Sequence, residues 1–419
     1  MHKRHVLVSG TFLLSLLLYV DRVCISTAKQ PIIDDLGLSD TQFGWILSVF
    51  AFGYALAQTP SGALADRLGP RLILTSVVAA WSIFTGLTAA AWNFGSMLAV
   101  RILFGVGEAG AFPGMARAVY SWIPVQERGL VKGINFSASR IGAAVTMPLL
   151  PVMIEALGWR QSFLVLMLVG FGWAVVWWLW FRDEPDQHPT ISAAERDYIL
   201  ANRQAALAGP EANVATLPTA TILRSGNMWL MMGQYFASNF TAFFCLSWLF
   251  PYVQQRFNLA FTEAGFYAML PLLGGAVGNV FSGWLVDRFY AAGYKMASRR
   301  VPAVFGFALA SAGLVISVGQ AEVVGAVAWL TIAVFGIDMI LSPAWSFCID
   351  IGGAHAGKVS GTMNMAGNLG SAVVALAFPY LLAWTGSVET FFYVGAGLNA
   401  FGILCWLAVK PDRPITAAA

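Results

Sequence analysis

Three acids and three arginines interrupt stretches that are otherwise apolar: Asp21 and Arg22 in SLLLYVDRVCIS, Arg101 and Glu108 in RILFGVGEAG, Arg140 in GINFSASRIG, and Asp338 in AVFGIDMIL. An ionised side chain at the centre of a membrane helix costs about 2.5–3.5 kcal/mol on insertion scales, so six facing lipid would cost on the order of 18 kcal/mol. They must turn inward, pair with one another or meet water. Arginine suits an anion because its planar fork offers two parallel charge-assisted bonds and stays protonated. Desolvation and a nearby guanidinium act on a carboxyl in opposite senses. An anion that claims the arginine therefore changes the proton occupancy of the acid beside it. The alternative is purely structural: Arg22 tied to Asp21, and Arg101 tied to Glu108.

Helix geometry tests whether these groups can meet. With a rise of about 1.5 Å per residue, Arg22 lies roughly 24 Å from the inner end of its span and Arg101 roughly 10 Å from the outer end of its own. In a hydrocarbon core about 30 Å thick the two reach similar depth. Glu108, seven residues after Arg101, shares its face about 10 Å further in. Arg140 enters near the middle from the inner side. It either adds a third cation, which would favour a dianion, or pairs with an acid. Asp338 and Glu108 each precede a proline by five residues (Pro343, Pro113), which marks them as repeat equivalents. For Asp338 a substrate hydroxyl contact, a further protonatable site and a local hydrogen bond all stand open.

The elements that must hold these residues are membrane helices. The chain is 58% hydrophobic and only 11% charged over 419 residues, with a mean hydropathy of +0.69; soluble domains are about one quarter charged. Apolar runs predict twelve spans: 6–28, 41–63, 72–91, 94–120, 131–156, 160–181, 227–251, 262–286, 300–318, 324–349, 358–384 and 388–409. No cleavable signal peptide is expected, because the first apolar run is too long and lacks a small-residue cleavage site. Of 24 Lys and Arg, three fall within spans and three on the outer side (Lys29, Arg160, Arg256), which leaves 18 on the inner side. That bias places both termini in the cytoplasm. The four cysteines all lie in apolar segments, so neither a disulfide nor a metal site is expected.

The expected layout is a bundle of six helices over 1–181, a linker over 182–226 and a second bundle over 227–419. In the linker, Ser192 and Glu195 spell a capping box that opens a short amphipathic surface helix. The halves repeat. SGALADR (61–67) returns as SGWLVDR (282–288), and GINFSASRIGAAV (133–145) as GTMNMAGNLGSAV (361–373), which makes Asn368 the counterpart of Arg140. Parallel six-helix repeats are the pattern of alternating-access carriers with a site near the midplane.

GALADRLGPR (62–71) resembles the loop between the second and third helices of the major facilitator superfamily. RILFGVGEAGAFPG (101–114), YVDR (19–22), ERG (127–129) and NMAGNLG (364–370) resemble its anion:cation symporter family. That family includes bacterial sugar-acid symporters and animal carriers of sialic acid, phosphate and glutamate. The resemblance implies an all-α membrane protein of twelve helices. It assigns substrate carboxylate binding to Arg22 and Arg101 and proton coupling to Asp21 and Glu108. Cavity positions fall on or beside Tyr19, Tyr54, Ser139, Asn239, Trp345 and Asn364. Arg140 departs from the sugar-acid members. The resemblance makes Asp66, Arg67 and Arg71 a gate latch, with Asp287 and Arg288 as repeat counterparts.

The expected activity is proton-coupled import of a small organic anion, most simply an aldonate, aldarate or hexuronate. Carriage of an aromatic or dicarboxylic acid, or export, is the alternative. Cofactors beyond the proton, nucleic acid and metals have no place in this reading, and a monomer in a bacterial inner membrane is expected. An enzyme is disfavoured, since no nucleophile–base pair or phosphate loop stands out. A membrane sensor would need a signalling domain beyond the twelve spans and one loop.

Overall fold

The computed structural model describes residues 2–124, 127–202, 219–352 and 356–410, without the side chains of a few helical residues that include Asp66 and Arg67. The chain divides by its internal contacts into two compact units, Met1–Gly209 and Pro210–Ala419. Helices fill both, and no strand occurs among the described residues.

The first unit holds α1 (Lys3–Thr27), α2 (Lys29–Leu36), α3 (Asp40–Leu68), α4 (Pro70–Ala89), α5 (Phe94–Glu108), α6 (Ala111–Trp122), α7 (Arg128–Leu157), α8 (Trp159–Trp180) and the linker helix α9 (Ala193–Asn202). The second holds α10 (Thr219–Arg224), α11 (Gly226–Ser247), α12 (Leu249–Phe257), α13 (Phe261–Ala291), α14 (Lys295–Val318), α15 (Val323–Asp338), α16 (Leu341–Gly352), α17 (Ala356–Thr385) and α18 (Glu389–Ala408). Ten stretches among the described residues are long and apolar enough to cross a membrane, and α11 with α12, bent by 60°, makes eleven. The remaining predicted span, 41–63, corresponds to the 29-residue α3. On α8, Leu168, Val175, Val176 and Leu179 are exposed while Trp173 and Trp177 turn inward. An apolar exterior of this kind belongs in lipid.

Helix starts follow their local sequence. Ser39 and Gln42 cap α3 reciprocally, Asn93 and Ser96 do the same for α5, and each pair satisfies backbone N–H groups that a helix start leaves open. Between α3 and α4, Gly69 takes φ +81°, and the Asp183 carboxylate accepts the Arg71 backbone N–H at 2.8 Å.

Two predicted spans, 94–120 and 324–349, are each two helices. The breaks fall at Ala109–Gly110 and Met339–Ile340. Proline lacks an N–H and its ring clashes with the carbonyl four residues earlier. For Pro113 and Pro343 those carbonyls belong to Ala109 and Met339, at the breaks. Glu108 and Asp338 are thus the last residues of α5 and α15, in equivalent places.

Helix pairing repeats in the same way. The first unit lays α1 along α7, α3 along α5 and α4 along α8; the second lays α11 along α17, α13 along α15 and α14 along α18. A methyl group on Gly142 of α7 would strike the Leu16 carbonyl of α1, and one on Gly370 of α17 would strike the Phe236 carbonyl of α11. These glycines stand at the same place in the GINFSASRIG and GTMNMAGNLG repeats.

The linker capping box forms only in part. Ser192 Oγ accepts the Glu195 backbone N–H at 3.3 Å, but the Glu195 carboxylate does not return the bond. It accepts instead the backbone N–H groups of Lys3 and Arg4 at 2.9 and 3.0 Å, and so caps α1. This charge of the expected surface helix is thus buried at the start of the first membrane helix. Unsatisfied N–H groups there attract a carboxylate more strongly than water does.

Candidate functional site

The first unit gathers α1, α3, α4 and α5 around a charged cluster. Phe50 and Tyr54 stand four residues apart on α3, and Arg101, Phe104 and Glu108 recur at three- and four-residue spacing on α5, so each set shares a helix face. Arg22 crosses from α1 to α5, where its Nε donates to Glu108 Oε1 at 2.7 Å. Its guanidinium lies 5.1, 5.5 and 4.6 Å from the ring centres of Tyr19, Phe50 and Tyr54. Arg101 lies 5.0 Å from the same Phe50 ring and 4.5 Å from Phe104. The two arginines therefore share one aromatic wall.

The alternative of purely structural pairs is not what forms. Arg22 is held by Glu108, not by Asp21, and no carboxylate forms an ion pair with Arg101 among the described residues. Successive helical residues point about 100° apart, so Asp21 cannot follow Arg22 to α5. Asp21 turns to α4, where Oδ1 accepts from Thr85 Oγ1 at 3.3 Å.

Burial makes these contacts costly to leave incomplete. Arg101 is 1% exposed and Glu108 is fully buried, yet Arg22 Nη2, Arg101 Nε and Glu108 Oε2 have no hydrogen-bond partner among the described residues. A buried polar atom without a partner carries about 1–3 kcal/mol, more if charged, and such groups mark places that water, an ion or a ligand completes. Each of the two guanidinium groups thus leaves a donor open, and Glu108 an acceptor, in a buried site.

Other expected residues are distributed less tightly. Ser139 is buried on α7 and returns its hydroxyl hydrogen bond to the Asn135 carbonyl of its own helix at 3.3 Å. Arg140 is half-buried on α7. In the second unit Trp345 Nε1 donates to the Tyr235 hydroxyl at 3.0 Å, and Asn239 Nδ2 donates to the Tyr235 carbonyl at 2.9 Å. Asn368 donates to the Asn364 carbonyl at 3.1 Å, and both are half-buried. Asp338 is fully buried against α13, where Gly275 leaves room that any side chain would take from its carboxyl.

Among the expected gate residues, the Arg71 guanidinium donates to the Trp178 carbonyl and lies 4.2 Å from its ring centre. Asp287 and Arg288 are exposed near the end of α13. The expectations for Asp66 and Arg67 lie outside the described side chains.

Sequence reasoning missed Phe50, Phe104, Thr85 and Tyr235. Helical spacing carries a signal for two of them: Phe50 precedes Tyr54, and Tyr235 precedes Asn239, by four residues on the same face. Thr85 carries none, because an isolated hydroxyl in an apolar span most often bonds its own helix.

A helical membrane protein of two repeated units, with a buried charged cluster at helix breaks, is the architecture of a transporter. The Major Facilitator Superfamily profile matches residues 11–375, and the chain belongs to that superfamily. A probable sulfoacetate transporter, SauU, of Cupriavidus necator is 32% identical over 413 residues, covering 97% of this chain and 94% of that one. A probable L-galactonate transporter of Escherichia coli is 29% identical over 398 residues, covering 94% and 87%. Among solved structures, a bacterial homolog of the human lysosomal transporter Spinster, inward-facing and unoccupied, shares the fold with a TM-score of 0.78 at 18% identity and 98% coverage of both chains.

Proposed function

We propose that this transporter carries a small organic anion, of the sugar-acid class, and couples its import to protons by alternating access. One observation carries the reading: Arg22 and Arg101 flank the Phe50 ring with donor nitrogens left open in a buried site. A carboxylate placed there gains charge-assisted bonds with little water competing for them. The relatives named for L-galactonate and sulfoacetate support an acid as cargo. Tyr19, Tyr54, Ser139, Asn239, Trp345 and Asn364 remain the proposed contacts for the hydroxylated remainder.

Coupling follows from competition for Arg22. An anion that draws this guanidinium away from Glu108 leaves a buried carboxylate without its cation, and a proton neutralises it. Asp21 supplies a second carboxyl. Arg71, Asp66, Arg67, Asp287 and Arg288 are proposed gate residues.

A second reading keeps the mechanism and changes the cargo to a dianion such as a sulfonated carboxylate. The relative named for sulfoacetate favours it. Both readings are tested by heating the purified protein with aldonates, aldarates, hexuronates, sulfoacetate and benzoate. A ligand at one hundred times its Kd adds about 2.7 kcal/mol of stability. The expected result is a raised Tm with one or more of the acids, lost in Arg101→Ala. If no acid stabilises the wild type the anion reading fails, and if Arg101→Ala keeps the full shift the site is elsewhere.

A further inference from the structure

Asp21 and Glu108 are both buried acids of the first unit, yet their partners differ in kind. Glu108 is held by a guanidinium, which can only donate. Asp21 is held by the Thr85 hydroxyl, which donates to its Oδ1 at 3.3 Å. Asp21 is 5% exposed and Thr85 2%. The charged groups whose fields reach Asp21 are Arg101 and Glu108, both on α5. From α4 it meets Thr85 and the Trp81 indole, and on α1 it is flanked by Arg22 and, one turn on, Cys24.

We propose that Thr85 is the positioning residue for a proton carried on Asp21, its hydroxyl holding the carboxyl in place whether or not the proton is present. The proposal rests on the reading of Asp21 as a proton carrier. A hydroxyl is both donor and acceptor. While Asp21 is ionised, Thr85 donates to Oδ1. When a proton arrives from water and the Asp21 O–H forms, that O–H donates back to Thr85 Oγ1. The threonine hydrogen then turns to the carbonyl four residues earlier, that of Trp81, a bond helical threonines make readily. The contact reverses direction instead of breaking, and no other side chain has to move.

The two acids thereby acquire different duties. Protonation of Glu108 breaks a charged bond to Arg22, so it is tied to arrival of the anion. Protonation of Asp21 reverses a hydrogen bond and breaks no ion pair, so it is linked to the anion only through the fields of Arg101 and Glu108.

The test is pH-difference infrared spectroscopy on the full chain in lipid nanodiscs, with no ligand added. The carboxyl band lost in Asp21→Asn is the Asp21 signal. In Thr85→Val this band is expected at higher wavenumber, because its hydrogen bond is gone. Its titration midpoint is expected to move alkaline by about 0.5–1 pH unit, since the ionised form loses the stronger bond. Thr85→Ser is expected to restore both features. Thr85→Cys, a weaker partner, gives an intermediate result and serves if the valine variant fails to fold. A wild-type band and midpoint unchanged in Thr85→Val or Thr85→Cys overturns the role of Thr85 while leaving Asp21 a proton carrier. Absence of any Asp21 band titrating between about pH 4 and 9 overturns the carrier reading, and the proposal with it.

Discussion

At the level of single residues, the site is defined by which acid each arginine keeps. Arg22 is paired with Glu108 across two helices, and Arg101 rests on phenylalanine rings with no acid partner among the described residues. Guanidinium over an aromatic face gains about 0.5–2 kcal/mol, enough to orient Arg101 but less than an ion pair supplies. It is therefore the cation whose charge is least compensated. Removing one member of a buried pair strands the other, at a cost of about 3–5 kcal/mol. Glu108→Ala is thus expected to lower the Tm sharply, whereas Glu108→Gln, which still accepts from Arg22 Nε, loses less than half as much. Thermal unfolding of both variants checks this, and equal losses would mean the pair contributes no charge-specific stability.

At the level of elements, helix breaks and helix ends place the chemistry. Pro113 and Pro343 stop α5 and α15 on an acid, so Glu108 and Asp338 occupy matching ends. That much was legible in the spacing of acid and proline, although the sequence suggested continuous spans. The docking of α9 was not legible, because nothing local reveals that a linker glutamate will reach the first turn of a helix that starts 192 positions earlier. Burial would raise the Glu195 carboxyl, but the Arg4 and Lys3 backbone N–H groups and the charges of His2 and Arg4 outweigh it and hold it below the ordinary carboxylate value. Arg4 adds an ion pair to Glu127 at 3.2 Å and lies 4.9 Å from the Tyr198 ring centre. A carboxyl depressed in the folded state stabilises above its unfolded value and loses that contribution as pH falls through its folded value. The α9 contact is therefore expected to hold at neutral pH and to release only in acid, below the ordinary glutamate value. Glu195→Ala should release it at every pH. Hydrogen exchange in the first turn of α1 reports this: protection independent of pH and of Glu195 would refute the clasp.

At the level of the whole molecule, the proposed proton coupling makes the number of carried protons decisive for what drives transport. Each proton adds about 1.4 kcal/mol per pH unit. A cycle moving two protons with a monoanion also gains about 2.3 kcal/mol per 100 mV. If both Asp21 and Glu108 carry protons as proposed, uptake of a monoanionic sugar acid into proteoliposomes is expected to rise when the interior is made negative. Uptake indifferent to an imposed potential would limit the cycle to one proton.

Composition and apolar runs by themselves determined that the chain crosses a membrane many times, because lipid tolerates few charges. Repeated motifs determined that the two halves share one architecture, down to the matching glycines at 142 and 370. The residues that had to turn inward were also evident, since the six charges could not face hydrocarbon. Their partners were not. Adjacent positions on a helix diverge in direction, so only the packing of α1 against its neighbours decided that Arg22 meets Glu108, that Asp21 meets Thr85, and that Arg101 is left with rings alone. Side-chain pairing across helices depends on rotation and depth of separate elements, and those are set by the tertiary contacts rather than by spacing within any one segment.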